Sequence, residues 1–154
     1  MQTLAVETLS NVVLRVPRQP AELELEPREP VLRRSVILRL AGSRRPLFRA
    51  DAAVALERLD PEARDGLLGG VEPMGRVFGE AGLETRRELL YQTPSRCLPR
   101  DVEQLEIDRG TPMVERGYLI VSDSGPLAFV VERIPETSLG TPQHAAEASL
   151  ALPA

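Results

Sequence analysis

Residues 112–134 read PMVERGYLIVSDSGPLAFVVERI. Pro112–Val121 and Pro126–Ile134 are two apolar runs joined by the turn cluster Ser122-Asp123-Ser124-Gly125. That pattern predicts a β-hairpin, the clearest one in the chain. Working outward, Val31-Leu32-Arg33-Arg34-Ser35-Val36-Ile37-Leu38-Arg39-Leu40 reads as a long, well-buried strand. The polar loop Ala41–Arg45 then returns the chain through Pro46 into Leu47-Phe48-Arg49-Ala50, a second hairpin. Nearer the N-terminus, Val12, Leu14 and Val16 alternate onto one face, a turn is expected at Arg18-Gln19-Pro20, and Leu23 and Leu25 continue as a short extended run. Leu83–Gln92 is extended as well, although Glu84–Leu90 also tolerates helix.

Helix signals fill the middle. Ala52–Leu59 is rich in good helix formers; Asp60-Pro61 supplies an N-cap with proline at the first helical position, and Gly69-Gly70 the stop. A short helix is expected from Pro73, carrying Met74, Val77 and Phe78 and ending by Gly82, and a proline-containing loop over Thr93–Arg100. Strands on either side of a helical middle, without alternating βαβ units, predict the α+β class: an antiparallel sheet with helices packed on one face. One domain is expected over residues 1–140, and the Ala-rich stretch 141–154 reads as a loose tail.

Composition narrows the function classes. At 154 residues the chain can bury a real core. No apolar run reaches the ~20 residues of a bilayer span, and Met1–Val6 lacks a secretory pattern, so a cytoplasmic protein is expected. One cysteine, Cys97, and one histidine, His144, make neither a disulfide nor a zinc site of the usual type. The net charge of −4 argues against nucleic acid as a partner. All nineteen basic residues are arginines, so every cation is a planar fork suited to carboxylates. Neither a phosphate-binding glycine loop nor a G-x-S-x-G elbow occurs, so no cofactor and no serine-hydrolase chemistry are expected.

Two ionisable residues fall where burial is expected. Glu132 follows Phe129-Val130-Val131 in the last strand; Arg34 shares a face with Leu32, Val36 and Leu38, while Arg33, Ser35, Ile37 and Arg39 share the other. An arginine on an apolar face needs an anionic partner or exposure at an edge. Glu132 and Arg34 could therefore pair with each other, lie at solvated strand ends, or face a small carboxylate ligand. Arg116 is a third candidate, with Glu115 beside it as a surface partner.

The order of motifs resembles the chorismate lyase family. The matching stretches are Glu7-Thr8-Leu9-Ser10, Val31–Leu38, Glu72-Pro73-Met74-Gly75-Arg76, and Arg116-Gly117-Tyr118 through Gly125-Pro126 to Val131-Glu132. The resemblance implies an antiparallel sheet with flanking helices around an internal ligand cavity. It also implies a cofactor-independent lyase that eliminates pyruvate from chorismate to give 4-hydroxybenzoate. Carried over, Arg34 holds the ring carboxylate and Glu132 serves the elimination; Leu9, Met74 and Gly75 line the pocket and Arg116 supplies a second cation. The chain begins almost at the first strand, where the family has a helical segment. One alternative is therefore the same scaffold acting on another unsaturated acid, for instance as a cyclase; a second is a sensing module that binds a small acid without catalysis, because the hairpin from Leu105 to Ile134 also resembles the effector-binding domains of some bacterial transcription regulators. Cys97→Ser is expected to matter little on any of these readings.

Overall fold

The computed structural model describes residues 4–15, 20–70 and 72–139. The expected tail (141–154) and His144 lie outside them, as do Val16 and the Arg18-Gln19 part of the expected turn. Among the described residues, six strands form one antiparallel sheet: β1 (Leu4–Leu14), β2 (Val31–Leu40), β3 (Pro46–Ala55), β4 (Arg86–Ser95), β5 (Met113–Ser122) and β6 (Gly125–Pro135). Their order across the sheet is β1-β2-β3-β6-β5-β4. Four helices accompany them: α1 (Pro61–Gly69), α2 (Met74–Glu80), α3 (Pro99–Leu105) and the single turn α4 (Glu136–Leu139). The α+β class and the antiparallel sheet are as the sequence implies.

Three local expectations are corrected. Ala52–Ala55 completes β3 rather than starting a helix, and only Leu56–Arg58 forms a 3-10 turn. The small residues Ala52, Ala53 and Ala55 are buried in the middle of a sheet, and tertiary packing there overrides alanine's helix propensity. Leu23 lies in a 3-10 turn (Ala21–Leu23), not a strand. The expected loop over Thr93–Arg100 instead ends β4 at Ser95 and opens α3 at Pro99. Pro99 is a first-turn proline, and Asp101 two positions on accepts from the Leu98 amide at 2.8 Å.

Helices also occupy both faces of the sheet rather than one. On the first face, α1 and α2 bring Ala63, Leu67, Val77 and Phe78 against Leu32, Val54, Ile120, Ala128 and Val130. On the second, α3 packs Leu105 with Ile37 and Met113, and Leu23 joins Val31, Ala53, Leu119 and Val121. α1 is bounded as its sequence predicts: the Asp60 carboxylate accepts from the Ala63 amide at 2.9 Å, and Gly70 turns left-handed at φ 75°. Carbonyls at that end of α1 also accept from side chains of β1. Thr8 donates to the Gly70 carbonyl, and the Asn11 amide to Leu67 and Leu68 at 3.2 and 3.3 Å.

The β5–β6 hairpin carries a bulge that decides which side chains meet. At the turn Ser122 faces Gly125 and Val121 faces Pro126, but Ile120 faces Ala128, so Leu127 is an inserted residue. Beyond it the register has slipped by one, which puts Arg116 opposite Glu132 and Tyr118 opposite Val130. Without the bulge, Arg116 would oppose Val131, and Glu132 would share its face with Glu115.

On the outer side of β4–β5, Gly117 pairs with Tyr91. The Tyr91 ring lies over the glycine so closely that a Cβ at residue 117 would overlap it. Tyr91 also donates to Glu115 at 2.9 Å. Gly117→Ala is expected to cost about 1–3 kcal/mol by overpacking, and Tyr91→Ala in that background to return part of the loss. Equal unfolding midpoints for wild type and Gly117→Ala in urea would show that the ring yields freely and that the contact is not structural.

Candidate functional site

The site lies on the α1–α2 face, in the gap between two apolar clusters. One is the α1–α2 core; the other joins Val36, Leu38, Leu47, Phe48 and Ile134. Cross-strand register sets two rows between them: Arg34–Ala52–Val130–Tyr118 and Val36–Ala50–Glu132–Arg116. The central strand β3 contributes only Ala50 and Ala52 to these rows, so the floor is low where the rows would otherwise be filled. A cavity of about 60 Å³ results, walled by Arg34, Val36, Phe48, Met74, Tyr118 and Glu132 among others. Ligand pockets for drug-sized molecules run to ~300 Å³ and more. This one suits a compact occupant.

Arg34 is 4% exposed. Its Nη2 donates to the backbone carbonyl of Glu72, just before α2, while its Nη1 is buried with no hydrogen-bond partner. Among the described residues no carboxylate pairs with it. Burial pulls the guanidinium's pKa below its ordinary value, the direction expected of a cation held away from water without a counter-ion.

Glu132, 3% exposed, is in the opposite condition. Its Oε1 accepts from Arg116 Nε at 3.0 Å and from Arg116 Nη2, and its Oε2 accepts from the Tyr118 hydroxyl at 2.9 Å. Burial raises the Tyr118 pKa well above the ordinary phenol value, and the neighbouring Glu132 charge adds to that, so Tyr118 remains a donor. The Arg87 guanidinium stacks over the Tyr118 ring, 4.4 Å from its centroid, and lines the same cavity.

Of the residues the sequence singled out, Arg34, Glu132, Met74 and Gly75 line this one cavity. Arg116 lies behind Glu132 and lines an adjoining hollow of about 100 Å³ with Arg87, Leu89, Gln92 and Tyr118. Leu9 is not at the cavity: it is the inserted residue of a bulge in β1 and is 39% exposed. The β1 side chain that does line the cavity is Val6. The suggested direct Arg34–Glu132 pair does not form, because β3 separates their strands and Arg116 takes the carboxylate. Glu115 pairs with Arg133 at 3.0 Å rather than with Arg116. Sequence reasoning missed Arg87, Tyr118, Ala50 and Ala52 as parts of the site. Register could have brought Tyr118 in, since it stands two residues from Arg116 on the same face.

No family model matches the chain, and no curated protein does. Solved structures do. The ligand-binding domain of a protein from Bordetella bronchiseptica assigned to the GntR family of transcriptional regulators superposes with a TM-score of 0.69 at 18% identity, over 87% of this chain and 86% of that one. A GntR-family transcriptional regulator from Bacillus cereus gives 0.68 at 6% identity, covering 90% and 95%. The effector domain of PhnF from Mycobacterium smegmatis gives 0.70 at 12% identity, covering 88% and 83%. The fold is thus the one those regulator domains share, an α+β, chorismate-lyase-like fold. At these identities the likeness is one of fold.

These neighbours correct the lyase reading. Conversion of chorismate to 4-hydroxybenzoate and pyruvate, and the enzyme class with it, is overturned by a set of neighbours that are transcriptional regulators. Glu132 itself is held in place by its neighbours, Oε1 accepting from Arg116 and Oε2 from the Tyr118 hydroxyl. The exclusion of nucleic acid as a partner is withdrawn on the same ground. No helix among the described residues is long and apolar enough to cross a membrane.

Proposed function

We propose that this chain is a ligand-sensing domain that binds a small organic anion in the cavity between the sheet and α2 and leaves it chemically unchanged. The supporting observation is Arg34: a buried guanidinium with one nitrogen unpartnered, on the wall of a compact and otherwise mostly apolar cavity. Such a group is costly to bury empty-handed, and an incoming carboxylate or phosphate recovers that cost through a charge-assisted hydrogen bond. The likeness to ligand-binding and effector domains supports the same reading. Met74 and Gly75 close the cavity from the start of α2, and the Arg34–Glu72 bond ties the anion-binding fork to that segment, so occupancy is felt by α2. Residues 1–140 act in this reading as a single sensing unit.

The test is thermal unfolding of the protein with acetate, benzoate, succinate and phosphate, for wild type and Arg34→Ala. A ligand at 100 times its dissociation constant adds about 2.7 kcal/mol, so at least one anion is expected to raise the wild-type midpoint by several degrees. Arg34→Ala is expected to remain folded, since it discards an unpaired buried cation, and to lose the response. An equal response in Arg34→Ala, or none in the wild type, would sink this reading.

A further inference from the structure

Resting on that reading, we infer that the ligand is a compact dianion, bound by Arg34 at one end and by Arg87 at the other across an apolar middle. The first ground is charge. The ionic side chains lining the cavity are Arg34, Arg87 and Glu132, and the Glu132 carboxylate is already neutralised by Arg116. Three guanidinium groups and one carboxylate leave two positive charges uncompensated. A monoanion would balance one of them.

The second ground is placement. Arg34 stands on β2 and Arg87 on β4, four interstrand steps apart, roughly 19 Å between backbones at ~4.8 Å per step. Both are long side chains that line the same small cavity. Their guanidinium groups therefore approach from opposite walls, and an anion on each must be joined by a short linker. Between them the floor is Ala50, Ala52 and Val130, with Val36 and Ile120 alongside, none of which offers a side-chain hydrogen bond. Tyr118 and Glu132 border the same floor but are already bonded to each other, so the floor favours a hydrocarbon linker.

The third ground is how Arg87 is held. It stacks on Tyr118 and has no carboxylate partner among the described residues. Tyr118 is in turn fixed by its hydrogen bond to Glu132. The Arg116–Glu132–Tyr118 chain thus serves as a platform that aims Arg87 over the cavity while leaving its N–H groups for a ligand. Arg87 also borders the adjoining hollow, which gives the second anionic group of a longer linker somewhere to extend.

The experiment is calorimetric titration of the full chain with malonate, succinate, glutarate and adipate. Each is compared with the monocarboxylate of equal carbon number at one ionic strength. At least one dicarboxylate is expected to bind ten-fold or more tightly than its monocarboxylate. Arg87→Met, which keeps bulk over the Tyr118 ring, is expected to erase that ratio by weakening the dicarboxylate; Arg34→Ala is expected to abolish binding of both. Circular dichroism confirms that each variant is folded. If monocarboxylates bind as tightly as dicarboxylates, or the ratio survives in Arg87→Met, the dianion inference is overturned and anion sensing stands. If no acid of either series binds, the dianion inference is overturned, and anion sensing then stands or falls on the benzoate and phosphate arms of the unfolding test.

Discussion

Asp101→Ala is expected to remove about 3–5 kcal/mol of folding stability, the usual cost of deleting one partner of a buried ion pair. Asp101 is fully buried at the start of α3, and Arg133 of β6 is nearly so. The Arg133 guanidinium donates to both carboxylate oxygens, with Nη2 at 2.7 Å from Oδ2 and Nε at 3.1 Å from Oδ1. The same carboxylate caps α3 through the Leu98 amide. Removing it therefore unties the helix from the sheet and strips its cap in one step. Arg133 would keep Glu115, Ser95 and the Arg96 carbonyl, which argues for the lower part of the range. Equilibrium unfolding in urea measures the loss; a change below about 1 kcal/mol, the size of a lone surface pair, would show that α3 is held by the Ile37–Leu105–Met113 contact alone.

The pH dependence of the same pair has a definite sign. Burial by itself would raise the Asp101 pKa, but the Arg133 hydrogen bonds, the Leu98 amide and the nearby arginine charges outweigh it and hold the group below its ordinary value. A carboxyl whose folded-state pKa is depressed contributes stability that is complete above the unfolded pKa and is lost as pH falls through the folded one. Stability of the wild type therefore declines on the acid side of the ordinary carboxylate range, and Asp101→Asn flattens that limb. Asp51, lowered through Arg49 and Ser35 against its own desolvation, contributes with the same sign.

The second large effect is expected at Glu132. Glu132→Ala leaves Arg116 without its buried counter-ion and the Tyr118 hydroxyl without its acceptor, again at a cost of about 3–5 kcal/mol. Arg116→Ala and Glu132→Ala together are expected to cost less than the sum of the two, with a coupling of about 2–3 kcal/mol in a double-mutant cycle read by denaturant unfolding. Additive losses would mean that the two residues stabilise the sheet independently. Glu132→Gln keeps an acceptor for Tyr118 and should fall between wild type and Glu132→Ala.

The parts of this architecture that are legible in the sequence are those written in local pattern. The turn residues 122–125, the uninterrupted β2 run and the Asp60-Pro61 cap each specify their element without help from the rest of the chain. Arg34 and Glu132 stand out for the same reason, as ions among apolar neighbours. Their actual partners are not legible, because they depend on a bulge. Nothing in Pro126-Leu127-Ala128 announces that Leu127 is inserted, yet that residue alone sets whether Arg116 or Glu115 shares a face with Glu132. Helix α3 is hidden differently: Pro99 punctuates a loop as well as it starts a helix, and the deciding contact, Arg133 to Asp101, joins positions 32 residues apart. Function is hidden at a higher level still. The motifs around Arg34 and Glu132 belong to a scaffold, and one scaffold can carry elimination chemistry in one protein and ligand sensing in another.

The strand order carries a consequence for how the molecule holds together. β1-β2-β3 and β4-β5-β6 are two meanders, each contiguous in the chain, and the sheet is completed only where β3 lies against β6. Arg34 belongs to the first meander; Arg87, Tyr118 and Glu132 belong to the second. A molecule gripped at both ends is therefore a staple across the β3–β6 pairing of the sheet, between two meanders made by distant stretches of chain. Its binding energy is added where loop closure has cost the most entropy, so occupancy is at the same time a statement about whether the two halves are joined.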